Sequence, residues 1–176
     1  MELRAHGHRE AADAALDQAR RWLANRPGSA ASTVEQAHLA IIAYLAGRWE
    51  ESQERFQALA AEFPTDVNYQ GYLGALAARR SDRAEALRIS AWLEQLAQPY
   101  LFGINTLWQA RIAALLGESE RAMVLLQTAI GQGAAVYGTS QFIWISRTDL
   151  AWLHRDVDFE SLHDHTPFQN LLRPKG

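Results

Sequence analysis

Apolar residues recur at helical spacing along most of the chain. Phe56, Leu59 and Phe63 form one such series, and Leu125, Leu126, Ala129 and Ile130 form another. The segments that carry them are rich in Ala, Leu, Arg, Glu and Gln, all good helix formers. The pattern predicts seven helices, at about 8–25, 32–46, 49–62, 66–79, 82–96, 100–116 and 118–131. Start signals accompany several of them. Ser32 or Thr33 can cap the second, with Glu35 in its first turn; Asp66 can cap the fourth, and Ser81 or Asp82 the fifth. Phe142-Ile143-Trp144-Ile145 is the one short run that suits an extended strand, and it suits a buried helix equally well.

The helices are arranged in a rhythm. A small turn residue recurs at Gly7, Gly47, Ser81 and Gly117, with spacings of 40, 34 and 36 residues. Five residues after each turn stands another small residue: Ala12, Ser52, Ala86 and Ala122. Seven residues before the last three turns stands a third: Ala40, Gly74 and Ala110. Small side chains at both places let two antiparallel helices approach closely, where larger ones would overpack the contact. Pro27, Pro64 and Pro99 follow their turns by 20, 17 and 18 residues, where a second helix should stop because proline lacks the N–H and clashes with the preceding turn.

Composition narrows the class. With 176 residues and 48% hydrophobic content, the chain can bury a sizeable core. Seventeen basic against twenty acidic residues is too even a balance to argue for a nucleic-acid or anionic-membrane partner. Absence of cysteine excludes disulfides and thiolate metal sites and fits a reducing cytoplasm. No apolar run is long enough for a membrane span, and Met1–Gly7 has no apolar core of the kind a signal peptide needs.

The repeat period brackets that of the tetratricopeptide repeat (TPR), and local residues match its pattern. Leu73-Gly74 and Ala77 fit one half of the motif; Ser52, Phe56 and Pro64 fit the other. Ala46-Gly47-Arg48-Trp49-Glu50-Glu51, Gly71-Tyr72-Leu73-Gly74 and Ala110–Gly117 resemble the TPR regions at the C-terminal ends of large bacterial signalling proteins, among them serine/threonine kinases and adenylate/guanylate cyclases. Leu153–Leu162, followed by Pro167-Phe168-Gln169-Asn170-Leu171-Leu172, looks like the closing cap of that group. The resemblance implies an all-α, right-handed α-α superhelix of about three and a half repeats. It would comprise repeats over 1–153 and a capping segment over 154–176. A cap has a physical role, because the last helix pair of a repeat array otherwise leaves its inner face uncovered. Asp158 is expected to cap a short helix carrying Phe159 and Leu162, and Thr166-Pro167 to start the helix of Phe168, Leu171 and Leu172. At the other end only six residues precede Gly7, so the first repeat lacks its first helix and the chain reads as excised from a longer one.

The candidate chemistry is that of a binding surface. His38, Tyr72 and Trp108 stand nine residues before their turns and should stack along one face, as packing between repeats or as a ligand-facing ladder. The family's concave groove is lined by the first helix of each pair. Carried over, that places Ile41 and Tyr44, then Asn68, Gly71, Ala75 and Ala78, then Ile104, Leu107 and Arg111 in the groove, with Arg79 near its rim. Tyr44, Asn68, Tyr72, Arg79, Trp108 and Arg111 are the binding candidates. Asn68 would clamp a peptide backbone, and Arg79 with Arg111 would meet a carboxylate; for Arg111 the alternative is an internal ion pair. His6, His8 and Glu10, and His163-Asp164-His165 with His154 and Asp156, are potential metal ligands, but their spacings match no zinc motif and they read as solvated loops. Ser90, Ser140 and Ser146 lie in no nucleophile context, and Gly131-Gln132-Gly133 lacks the rest of a phosphate loop. The expectation is a cytoplasmic scaffold without catalytic residues, metal or cofactor, holding a protein or peptide. The alternative is packing on its own chain or on a second copy, as a homodimer through the N-terminal helix.

Overall fold

A computed structural model of the chain describes residues 2–25, 32–96, 100–134 and 150–173. The elements are α1 (Glu2–Ala5), α2 (Arg9–Ala24), α3 (Thr33–Leu45), α4 (Trp49–Glu62), α5 (Val67–Arg79), α6 (Arg83–Gln95), α7 (Ile104–Leu115) and α8 (Ser119–Gly131). Two 3-10 turns, Ala151–Arg155 and Glu160–Leu162, and α9 (Thr166–Leu172) follow. Among the described residues there is no strand, and the fold is all-α and helical-repeat-like. The Phe142–Ile145 run, Pro27 and Pro99 lie outside the described residues.

The repeat is most visible in its turns. Gly7, Gly47, Ser81 and Gly117 all adopt the left-handed conformation, at φ 82°, 75°, 63° and 77°. At Gly47 the N–H donates to the Tyr44 carbonyl (3.0 Å) and that of Arg48 donates to the Ala43 carbonyl (2.9 Å). This pair of bonds satisfies the carbonyls left over at the end of a helix. It recurs at Ser81–Asp82 (3.1 and 2.9 Å), Gly117–Glu118 (3.0 and 2.9 Å) and Gly7–His8 (2.9 and 2.7 Å). In each case the second residue is also the N-cap of the next helix, so one residue in the left-handed region reverses the chain. Only Ser81 lacks glycine's tolerance for that conformation.

The small positions lie at the closest approaches. Ala12, Ser52, Ala86, Ala122, Ala40 and Ala110 are all buried. Ser52 Oγ donates to the Ala40 carbonyl (3.0 Å), so the two small sites of one hairpin touch. A Cβ on Gly74 would come within 2.6 Å of Ile112 Cδ1 and 3.0 Å of Ile89 Cγ2, which explains the absence of a side chain there.

Of the two residues offered for the cap of α6, Asp82 takes the role, accepting from the Glu85 N–H (3.1 Å), while Ser81 forms the turn. Two local expectations are corrected. α7 begins at Ile104 rather than near 100, because Tyr100, Phe102 and Gly103 take left-handed φ values of 64°, 46° and 81° and cannot continue a right-handed helix. At α9 the N-cap position falls to His165, and Thr166 is already helical. The other caps hold as read. Ser32 and Glu35 form a reciprocal capping box, and Asp66 Oδ1 accepts from the N–H groups of Asn68 and Tyr69 (2.9 and 3.0 Å). A one-turn helix, α1, precedes Gly7.

The chain forms two compact units, 1–70 and 71–176, with the division inside α5. In the first, α1 packs on α2, α2 on α3 and α3 on α4, around Ala37, Ala40, Tyr44, Phe56 and Leu59. In the second, α6 packs on α7 and α7 on α8. The segment 150–173 completes that core, burying Trp152, Leu153, Phe159, Leu162 and Phe168 against Leu107, Ala110, Ala114, Met123 and Leu126. At roughly 1.5–3 kcal/mol for each large apolar side chain removed from water, this segment contributes substantially to the unit.

Candidate functional site

The second unit brings four of the six binding candidates together. Gly71 lies against the indole of Trp108; a Cβ there would come within 2.2 Å of the ring. The Tyr72 ring meets the same indole edge-on, with centroids 4.5 Å apart. Arg111 follows Trp108 by three residues on α7, one turn along the same face, so its guanidinium lies 4.4 Å from the indole centroid in a cation–π contact. Arg79 closes the last turn of α5.

Both arginines meet carboxylates of the chain itself. Arg111 Nη2 donates to Asp156 Oδ2 (2.6 Å), and its Nε lies 3.9 Å from Asp158 Oδ2. Arg79 Nη2 donates to Asp158 Oδ1 (2.6 Å) and to the Val157 carbonyl (3.1 Å). Asp158 is therefore no helix cap; its carboxylate is buried between the guanidiniums, and the 3-10 turn at Glu160–Leu162 starts without a side-chain cap. The Asp156-Val157-Asp158 turn is self-closed, with the Asp158 N–H on Asp156 Oδ1 (3.1 Å) and the Phe159 N–H on the Asp156 carbonyl (3.1 Å). Burial pushes the Asp156 carboxyl above the usual carboxylate range, Asp158 adds to the shift, and Arg111 opposes it. Burial likewise pushes the Tyr72 phenol up. Two cations and two anions thus share one largely buried site, an arrangement suited to holding carboxylates and a main-chain carbonyl.

The remaining candidates lie elsewhere. Tyr44 is buried in the first unit, its ring edge-on to Trp49 at 5.4 Å. Asn68 is half-buried in the first turn of α5. Ala75, Ala78 and Leu107, carried over as groove-lining, are buried, while Ile41 and Ile104 are half-buried. His38, of the expected aromatic ladder, is half-buried in the first unit, where burial lowers its imidazole pKa against the opposing effect of Glu35. Asp156 and Asp158 were missed as partners of the arginines. The available signal was an Asp-x-Asp pair flanked by apolar Leu153 and Phe159, in a chain with two arginines on otherwise apolar helix faces.

His154 and His163 stack face to face at 5.3 Å, His163 stacks on Phe168 at 5.9 Å, and His165 Nε2 pairs with Glu120 Oε1 at 3.0 Å. Among the described residues no group of three or more His, Asp or Glu side chains is placed to hold a metal ion. Among the described residues, open hollows of about 440 Å³ along α3 and α4 and about 400 Å³ beside Tyr100–Gly103 and Gln132 are seen. No described helix is long and apolar enough to cross a membrane. No protein-family model, characterised protein or solved structure matches the chain.

Proposed function

We propose that the protein is a TPR-type scaffold that holds another protein or peptide in the cytoplasm, the module of a larger bacterial signalling protein. The observation that carries this reading is the fourfold recurrence of one turn, at Gly7, Gly47, Ser81 and Gly117, with the same two hydrogen bonds each time. A chain built from repeated hairpins stacks them into extended surfaces, and such surfaces serve recognition. Of the candidate nucleophiles, Ser90 is buried, while Ser140 and Ser146 lie outside the described residues. The second reading is a structural or self-associating domain. It is favoured by Trp22, 62% exposed on α2.

A peptide-display selection against the immobilised full chain separates the two. The scaffold reading expects one enriched consensus that binds one-to-one in calorimetry. Failure to enrich any consensus, together with a concentration-dependent dimer in sedimentation that Trp22→Ala dissolves, would replace it with self-association.

A further inference from the structure

The two-arginine site holds its carboxylates as a receptor holds a ligand. Arg79 reads a main-chain carbonyl together with a side-chain carboxylate, and Arg111, braced on Trp108, reads a second carboxylate two residues away. The segment that supplies these groups has little regular structure of its own. It runs between two fully buried anchors, Leu153 and Phe159. Between them His154 is exposed, Arg155, Asp156 and Val157 are half-buried, and the one buried side chain, that of Asp158, is charged rather than apolar. Lifting 154–158 with the anchors in place would therefore expose little apolar surface.

The charges make such opening easier than hydrophobic packing would. Burying an ion pair costs desolvation that its attraction roughly repays, so a buried pair is worth little against the same charges returned to water. Opening the strap hydrates all four groups at once. Removing a single partner by mutation instead strands a buried charge, which is far more costly. The network thus fixes the register of the strap without fastening it strongly.

We propose that Leu153–Phe159 is a charge-locked strap, with Asp156-Val157-Asp158 occupying in cis a receptor on α5 and α7 that takes an acidic Asp-x-Asp segment of a partner protein when the strap lifts. This rests on the scaffold reading and names the chemistry of one partner surface. Charge complementarity with Arg79 and Arg111 selects the acidic occupant. The strap itself shows the spacing the receptor accepts: two carboxylates separated by one residue.

The test titrates a fluorescein-labelled peptide of residues 154–162 into the full chain and reads anisotropy. Wild type should bind at least about tenfold more weakly than the Asp156→Asn/Asp158→Asn double variant, because a tethered ligand competes at an effective concentration on the order of millimolar. Binding should vanish for a peptide carrying Asn at both Asp positions. A folded double variant that does not distinguish the two peptides overturns the proposal. Hydrogen exchange on unmodified full chain gives a second decision should the variant fail to fold. The amides of Val157, Asp158 and Phe159 should exchange through local opening, well before those of Ile112–Leu115 in α7. Exchange of both sets together, only in global unfolding, makes the strap a fixed part of the core and overturns the proposal. Loss of this peptide's binding with a display-selected consensus still bound would sink the strap alone and leave the scaffold reading standing.

Discussion

Replacing Gly71 by alanine sets two effects against each other. In an α-helix interior alanine is favoured over glycine by about 1 kcal/mol. Against this, the new Cβ would meet Trp108 Cδ2 at 2.2 Å, Cγ at 2.3 Å and Cε2 at 2.5 Å, where ordinary contact begins near 3.4 Å. The indole or α5 must then shift by about 1 Å or more. The indole has little room to move, because Tyr72 lies against it and the Arg111 guanidinium lies over it. Overpacking of this kind costs about 1–3 kcal/mol, and this rigid neighbour puts it near the upper end. The net expectation is a loss of about 1–2 kcal/mol, or a melting temperature lower by about 2–4 °C for each kcal/mol. Urea unfolding followed by circular dichroism measures it, with an unchanged m-value. Gly131→Ala is the control, since nothing lies within 4 Å of its Cβ and it should be neutral or stabilising. In a Trp108→Leu background Gly71→Ala should lose its penalty. Equal destabilisation in both backgrounds would refute the close approach of α5 to the indole.

Ser81→Gly should stabilise the protein by about 1 kcal/mol, since it removes a left-handed serine from a turn that uses glycine at the three equivalent positions; lower stability in urea would count against the shared turn. Arg111→Ala should cost about 3–5 kcal/mol by stranding the largely buried carboxylates of Asp156 and Asp158, and a wild-type melting curve would show that they do not depend on it. Asp156 has a raised folded pKa, so its contribution is fully present below the unfolded value, near 3.8, and is lost as pH rises through the folded one. Wild type should therefore gain on Asp156→Asn as pH falls from neutral towards 4; the opposite trend in paired urea titrations would reverse the assigned direction.

The residues that punctuate the chain were legible because their signals are local. A glycine or serine between helical runs, a small side chain five residues on and an acid at an N-cap each act within a few residues, and the helices at 49–62 and 118–131 lie within a residue of their reading. The start of α7 was not legible, because aromatic residues at left-handed φ run against local preference. Asp158 was misread for the opposite reason. Its local context suits a cap, but its partner Arg79 lies 79 residues away, and only the folded core brings the two together. The candidate site was therefore half visible. The arginines and aromatics stood out, and the carboxylates that occupy them did not.

The scaffold account is tested most directly by hydrogen exchange on the full chain with and without its display-selected peptide. The account predicts added protection within the second unit concentrated on α7 and residues 71–79 of α5, at one-to-one saturation. Protection confined to α6 and α8, or none at a saturating concentration, would contradict it.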